Sequence, residues 1–189
     1  MNKKILLLIA FCVASGQLAR AGDGSTFSVQ CVISPDLENQ IWNRTLAWKV
    51  LNHIFTDRTA RWISPIWGKV TNGVASCPAL PVGKKAVFES DFTIVNSKTY
   101  SVESIIDDVG SLQITNTDNN TVVLNMSVSR SQYLLRNLNL DAGHYKLRIT
   151  DIDAGVAAGV IASIRDASSG AVVLNTRNSS NWSIEVNDI

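Results

Sequence analysis

From Ala86 to Val186 the chain repeats one pattern, with apolar residues at every second position in strand-length runs separated by Asn/Asp/Gly/Ser turns. In Ala86–Ile94 (AVFESDFTI), Ala86, Phe88, Ser90, Phe92 and Ile94 share one side of an extended chain, with Val87, Glu89, Asp91 and Thr93 on the other. A period of two suits a sheet with one dry face and one wet face, and it has no use in a helix. Tyr100/Val102/Ile106, Leu112/Ile114, Val122/Leu124/Met126/Val128, Tyr145/Leu147/Ile149 and Trp182/Ile184/Val186 continue it. Gly159–Ile164, the turn Asp166–Gly170 and Ala171–Leu174 read as a hairpin, although Val156–Ile164 also fits a helix of small residues. About nine strands at this spacing predict an all-β fold, an antiparallel two-sheet β-sandwich of the jelly-roll kind.

Upstream the pattern changes. Phe27, Val29 and Cys31 alternate as a short opening strand, and Ser34-Pro35-Asp36-Leu37-Glu38 reads as a capped helix start, which predicts a short N-terminal helix. Arg61–Trp67 (RWISPIW) is broken by Pro65, which points to an edge segment or a loop. Lys3 and Lys4, the apolar run Ile5–Val13 and Ala19-Arg20-Ala21 have the layout of a secretory leader ending at Ala21, and the Met-Asn-Lys-Lys start is bacterial in style. The expected organisation is a signal peptide at 1–21, a strand and helix at 22–58 packing on the sandwich, and the sandwich at 59–189. The expected location is exported: periplasmic, cell-surface or secreted.

Composition narrows the function classes. A net charge of +1 with 17% charged residues provides no basic stripe for nucleic acid, and no later apolar run is long enough to span a membrane. Once the leader and Cys12 are removed, Cys31 and Cys77 remain, and an oxidising compartment favours a disulfide between them. Closing that loop would stabilise the fold by roughly 4 kcal/mol in the chain-entropy model.

Candidate chemistry is sparse. The sequence has no G-x-S-x-G elbow and no H-E-x-x-H helix, and His144 falls at the polar start of a strand, where a solvated imidazole is expected. Asp107 and Asp108 are adjacent on a strand and point to opposite faces, so they cannot act as a glycosidase pair. These features predict a protein that is not an enzyme. Asp151 and Asp153, two residues apart before Gly155, are the candidate calcium ligands, and no other cofactor is expected. Of five tryptophans, Trp62 and Trp182 sit in strand contexts that predict burial, while Trp67 lies in a loop-like setting beside Pro65 and Gly68. A flat exposed indole stacks on the C–H face of a sugar ring, and amides and carboxylates bind its hydroxyls. Trp67, Asn116, Asp118 and Asn119 are therefore the candidate ligand-binding residues.

Several of these stretches resemble a known family. Ala60-Arg61-Trp62-Ile63, Phe88-x3-Phe92, Ile106-Asp107-Asp108, Leu140-x2-Gly143-x-Tyr145-x-Leu147-x-Ile149 and Gly159-Val160-Ile161-Ala162 followed by Trp182 resemble the galactose-binding-like jelly-roll modules found beside bacterial glycoside hydrolases such as rhamnosidases. The resemblance covers about Thr59–Val186, and Asn116-Thr117 stands where such modules usually carry Asn-Gly. It implies carbohydrate or cell-surface binding, often with a structural calcium, or a purely structural role. The expected function is an exported bacterial non-catalytic binding module, adhesin-like or appendage-tip-like, contacting a glycan or cell surface. The alternative is a structural or accessory subunit of an envelope, pilus or secretion assembly that contacts protein.

Overall fold

Strands form where alternation predicts them. The computed structural model describes residues 26–28, 31–33, 55–64, 69–71, 74–76, 83–107, 109–129, 132–152, 159–177 and 181–189. The long strands are β6 (Lys84–Ile94), β7 (Lys98–Asp107), β8 (Val109–Asn116), β9 (Thr121–Ser129), β10 (Leu134–Leu140), β11 (Gly143–Ile152) and β12 (Gly159–Asp166). β13 (Val172–Asn175) and β14 (Ser183–Asp188) follow them, and β1 (Thr26–Ser28), β2 (Cys31–Ile33), β3 (Trp62–Ser64), β4 (Lys69–Thr71) and β5 (Val74–Ser76) precede them. Among the described residues there is no helix, and the helix expected from Ser34 lies outside them.

Two antiparallel sheets carry the fold. The first runs β1-β14-β6-β11-β8-β9 and the second β10-β7-β12-β3-β2, with β13 also paired to β12 and β4-β5 forming a separate ribbon. Consecutive strands mostly switch sheets: β6 belongs to the first, β7 to the second, β8 and β9 to the first, β10 to the second, β11 to the first and β12 to the second. The predicted hairpin at Gly159–Leu174 is the β12–β13 pair. The expectation of an edge or loop at Arg61–Trp67 needs correcting for its first half. β3 lies inside the second sheet, between β12 and β2, and Pro65 follows its last residue, so the missing N–H removes no bond from that strand.

Alternation decides what is buried. Phe88, Phe92 and Ile94 of β6, Leu112 and Ile114 of β8, Tyr145, Leu147 and Ile149 of β11 and Ile184 of β14 point inward from the first sheet. Tyr100, Val102 and Ile106 of β7 and Val160, Ala162 and Ile164 of β12 meet them from the second. Each fully buried large apolar side chain contributes about 1.5–3 kcal/mol relative to exposure. Two tyrosines also close the turns ahead of their strands. The Tyr100 hydroxyl donates to the Asn96 carbonyl (2.8 Å) and the Tyr145 hydroxyl to the Asp141 carbonyl (3.0 Å), while the Tyr145 ring stacks on its cross-strand partner Phe92 at 5.5 Å. A buried phenol thus retains a partner for its polar end. Trp62 and Trp182 are buried, as their strand contexts predict, and the Trp182 indole N–H donates to the Asn175 carbonyl at 3.2 Å.

The outer face of the second sheet is also covered. Residues Phe55–Ala60 lie across it, and Phe55, Ala60, Trp62, Ile105 and Ile161 are all buried. Two carboxylates hold this segment down. Glu103 of β7 accepts from the backbone N–H groups of Thr56 (3.1 Å) and Asp57 (3.3 Å), the Thr56 and Tyr133 hydroxyls and the Arg165 guanidinium (3.0 Å). Asp57 accepts from Ser163 (2.7 Å), Asn175 (2.9 Å) and both the N–H and hydroxyl of Thr59 (2.8 and 2.7 Å).

Candidate ligand-binding surfaces

Among the predicted ligand residues, Asn116, Asp118 and Asn119 form the corner where β8 turns into β9. The turn is built from its own side chains. Asn116 Oδ1 accepts the Asp118 N–H (2.9 Å), Asn119 Oδ1 accepts the Thr121 N–H (3.0 Å), and Asn120 takes the left-handed conformation at φ 58°. The structure adds His144, the second residue of β11, to this corner. Its N–H donates to Asp118 Oδ2 (2.9 Å), its Nδ1 lies 2.9 Å from Asp118 Oδ1, and the Thr117 N–H donates to its carbonyl (2.9 Å). These contacts from His144, backbone first and then the ring, hold the Asp118 carboxyl below its ordinary value. Gly143 allows the approach, since a Cβ there would lie 2.8 Å from Asp118 Oδ2. The His144 side chain is 69% exposed, so the imidazole is solvated as expected, but the sequence reading missed its carboxylate neighbour. The spacing of 26 residues offered no signal for that pairing. Asn116 and Asp118 are thus drawn together, and Asn119 is committed to its own turn.

Trp67, Cys77 and Asp153 lie outside the described residues, and Cys31 opens β2. Asp151 is buried on the core side of β11, in register with Ala86 and Gly110. Among the described residues no group of three or more His, Cys, Asp or Glu side chains is placed to hold a metal ion.

A second surface lies at the opposite end of the same strands. A shallow groove of about 340 Å³ runs over the outer face of the first sheet, where β8, β9 and β11 end or begin. Strand register arranges its walls in two rows. Thr150 is opposite Ser111 and Ser111 opposite Ser127, which makes a row of three hydroxyls at strand spacing, about 5 Å apart. One step along, Ile152 is opposite Val109 and Val109 opposite Ser129, so two apolar side chains and a further serine border the hydroxyls. Gly110 lies between them, with the backbone of β11 so close that a Cβ would fall 1.9 Å from the Thr150 carbonyl oxygen. Among the described residues, no titratable side chain lines the groove. The sequence shows these serines only as the polar half of an alternation, with nothing to mark them out from the other outward-facing residues.

The buried carboxylates of the second sheet are structural in geometry. Burial alone would raise the Asp57 pKa, but hydrogen bonds from Asn175, Ser163 and Thr59 outweigh it and lower the value to about 2. Burial, together with Glu103, pushes the Tyr133 phenol up. On the neighbouring turn, the Lys98 ammonium and the Ser168 and Ser169 groups hold Asp166 far below the carboxylate range.

No family model matches the chain, and no curated protein matches it. Two solved structures of the capsular polysaccharide assembling protein CapF from Staphylococcus aureus are similar in part. One is 10% identical with a TM-score of 0.26, covering 71% of this chain and 28% of that one. The other, in space group C2221, is 9% identical with a TM-score of 0.22, covering 71% and 30%. This chain therefore spans less than a third of the CapF chain, and at these scores the likeness carries no argument.

Proposed function

We propose that the protein is an exported, non-catalytic binding module of the galactose-binding-like kind, recognising a neutral glycan or a glycan-bearing surface. The observation that carries the reading is the paired rows of the groove: hydroxyls of Thr150, Ser111 and Ser127 beside Ile152 and Val109. A sugar ring has a hydroxyl edge and a C–H face, and a row of hydroxyls next to the apolar pair Ile152 and Val109 meets both. The lining formed by the described residues carries no charge, which favours neutral sugars over uronates or sialic acids. A structural calcium at Asp151 and Asp153 and a disulfide between Cys31 and Cys77 fit the same reading.

A glycan array with the purified protein tests it. Neutral oligosaccharides should bind, Ser127→Trp should abolish binding by filling the groove from an exposed position, and Asp118→Asn should leave it intact. Binding lost in Asp118→Asn and kept in Ser127→Trp would move the site to the β8–β9 corner, and loss in Trp67→Ala alone would move it to that indole. Silence across the array favours the second reading, a structural or accessory subunit of an envelope assembly.

A further inference from the structure

The outer face that carries the groove continues along β8 and β9. Ser111, Gln113 and Thr115 of β8 alternate with the core residues Leu112 and Ile114, and Asn125 and Ser127 of β9 alternate with Leu124, Met126 and Val128. Beyond the row of Thr150, Ser111 and Ser127 comes a second, with Arg148 opposite Gln113 and Gln113 opposite Asn125. A third follows, with Lys146 opposite Thr115 and Thr115 opposite Val122. At ~3.4 Å per residue the strip from Val109 to Thr115 is about 20 Å long. Charge divides the face lengthwise. On the β6–β11 half the Arg148 guanidinium donates to Glu89 at 2.8 Å, and the Lys146 ammonium lies 3.5 Å from Glu89 and 3.9 Å from Asp91. β8 and β9, VGSLQITN and TVVLNMSVS, carry no charge and no aromatic residue. Among the described residues, the side chains of Ser111, Gln113, Thr115, Asn125, Ser127 and Thr150 hydrogen-bond neither one another nor any other protein group. The outer face of the second sheet differs, since Ser101 and Thr99 there donate to Asn137 and Asn139 at 2.8 and 2.7 Å.

We propose that the groove is one end of a longer site, and that its ligand is a linear neutral polysaccharide lying along β8 and β9 rather than a single sugar. The inference rests on the glycan reading of the groove and names the form of the glycan. Amides and hydroxyls both donate and accept, as sugar hydroxyls do. The strip presents them in successive rows, with Val109 (40% exposed) and Val122 (48% exposed) at its two ends to meet C–H faces. Other occupants fit less well. A protein partner needs large apolar or aromatic anchors at the centre of its footprint, where this strip has Gln113 and Asn125. A polyanion needs unmatched cations, and Lys146 and Arg148 already have carboxylates beside them. The same surface selects a chain over a monomer. Each hydrogen bond to a sugar replaces one to water, so it is worth only about two- to tenfold in affinity. Without an indole or phenol as a platform, one ring on this face is held weakly, and affinity has to accumulate over several rings in series.

Calorimetric titration of the purified protein with homo-oligomers of glucose, galactose, mannose and N-acetylglucosamine, from disaccharide to hexasaccharide, tests the proposal. In the series that binds, affinity should rise by about tenfold or more with length. Gln113→Ala and Asn125→Ala should each weaken the hexasaccharide by about two- to tenfold and leave the disaccharide unchanged, with unaltered circular dichroism spectra. Asp91→Ala, on the charged half of the face, should change neither. Equal affinity at every length, or hexasaccharide binding indifferent to both amide substitutions, would overturn the proposal and leave the groove as a site for one sugar. Silence toward every series would overturn the glycan reading and this inference with it.

Discussion

The guanidinium of Arg165 reaches diagonally across the β7–β12 ladder to the fully buried carboxylate of Glu103, Nη2 to Oε1 at 3.0 Å. Glu103 receives five donors in all, from Arg165, Tyr133, Thr56 and the Asp57 backbone. Removing one member of such a buried pair leaves the other desolvated, at a cost of about 3–5 kcal/mol. Glu103→Ala should therefore lower unfolding free energy by that amount in urea titrations, and Phe55 and Ala60 should lose protection in hydrogen exchange.

Asp57 predicts a dependence on pH. Its folded pKa lies near 2, below the ordinary carboxylate value of 3.8, so its contribution is fully present above about pH 4 and is lost as pH falls through 2. A shift of this size corresponds to at most about 2 kcal/mol. Chemical denaturation of the wild type and Asp57→Asn between pH 6 and pH 2, roughly the span of the linkage, should show the two stabilities converging at the acid end.

Gly110 should tolerate no side chain. A Cβ would meet the Thr150 carbonyl at 1.9 Å and Ile106 Cγ2 at 3.0 Å, and a backbone carbonyl in mid-sheet cannot swing aside. Gly110→Ala is expected to cost about 1–3 kcal/mol or more. Gly170→Ala is the contrast, with open space around it and a φ of 73°, so strain of about 1–2 kcal/mol is the whole penalty. Thermal unfolding of both variants separates clash from strain.

Phe88 sits at the centre of the first sheet, with Ile149 on one side and Ile184 on the other. Phe88→Ala should destabilise by about 3–5 kcal/mol, while Glu89→Ala, one residue along on the wet face, should cost under about 1 kcal/mol despite its 2.8 Å contact with Arg148. Equal costs in denaturant titrations would contradict the assignment of faces.

The sandwich was readable from residues such as Phe88, Leu112 and Ile149, because a period of two has one physical meaning when one face is dry. Pairing order was not readable, since alternation says which way a side chain points and nothing about its neighbour. The turn at Asn116–Asn120 was legible from its Asx chemistry, but the contact between Asp118 and His144 depends on β11 lying beside β8. Glu103 reads locally as an outward residue between Val102 and Ser104. Its burial follows from a segment some 46 residues earlier, which no local pattern reports. The groove escaped for a similar reason, because Ser111, Ser127 and Thr150 become a row only when three strands are in register.

The first sheet takes into its interior the strand that comes last in chain order among those described. β14 lies between β1 and β6, with Val186 opposite Ala86 and the Lys84 ammonium 2.6 Å from Asp188. Without β14, β6 has an empty flank and β1 has no seat, so the first sheet closes only when segments from far apart in the chain meet.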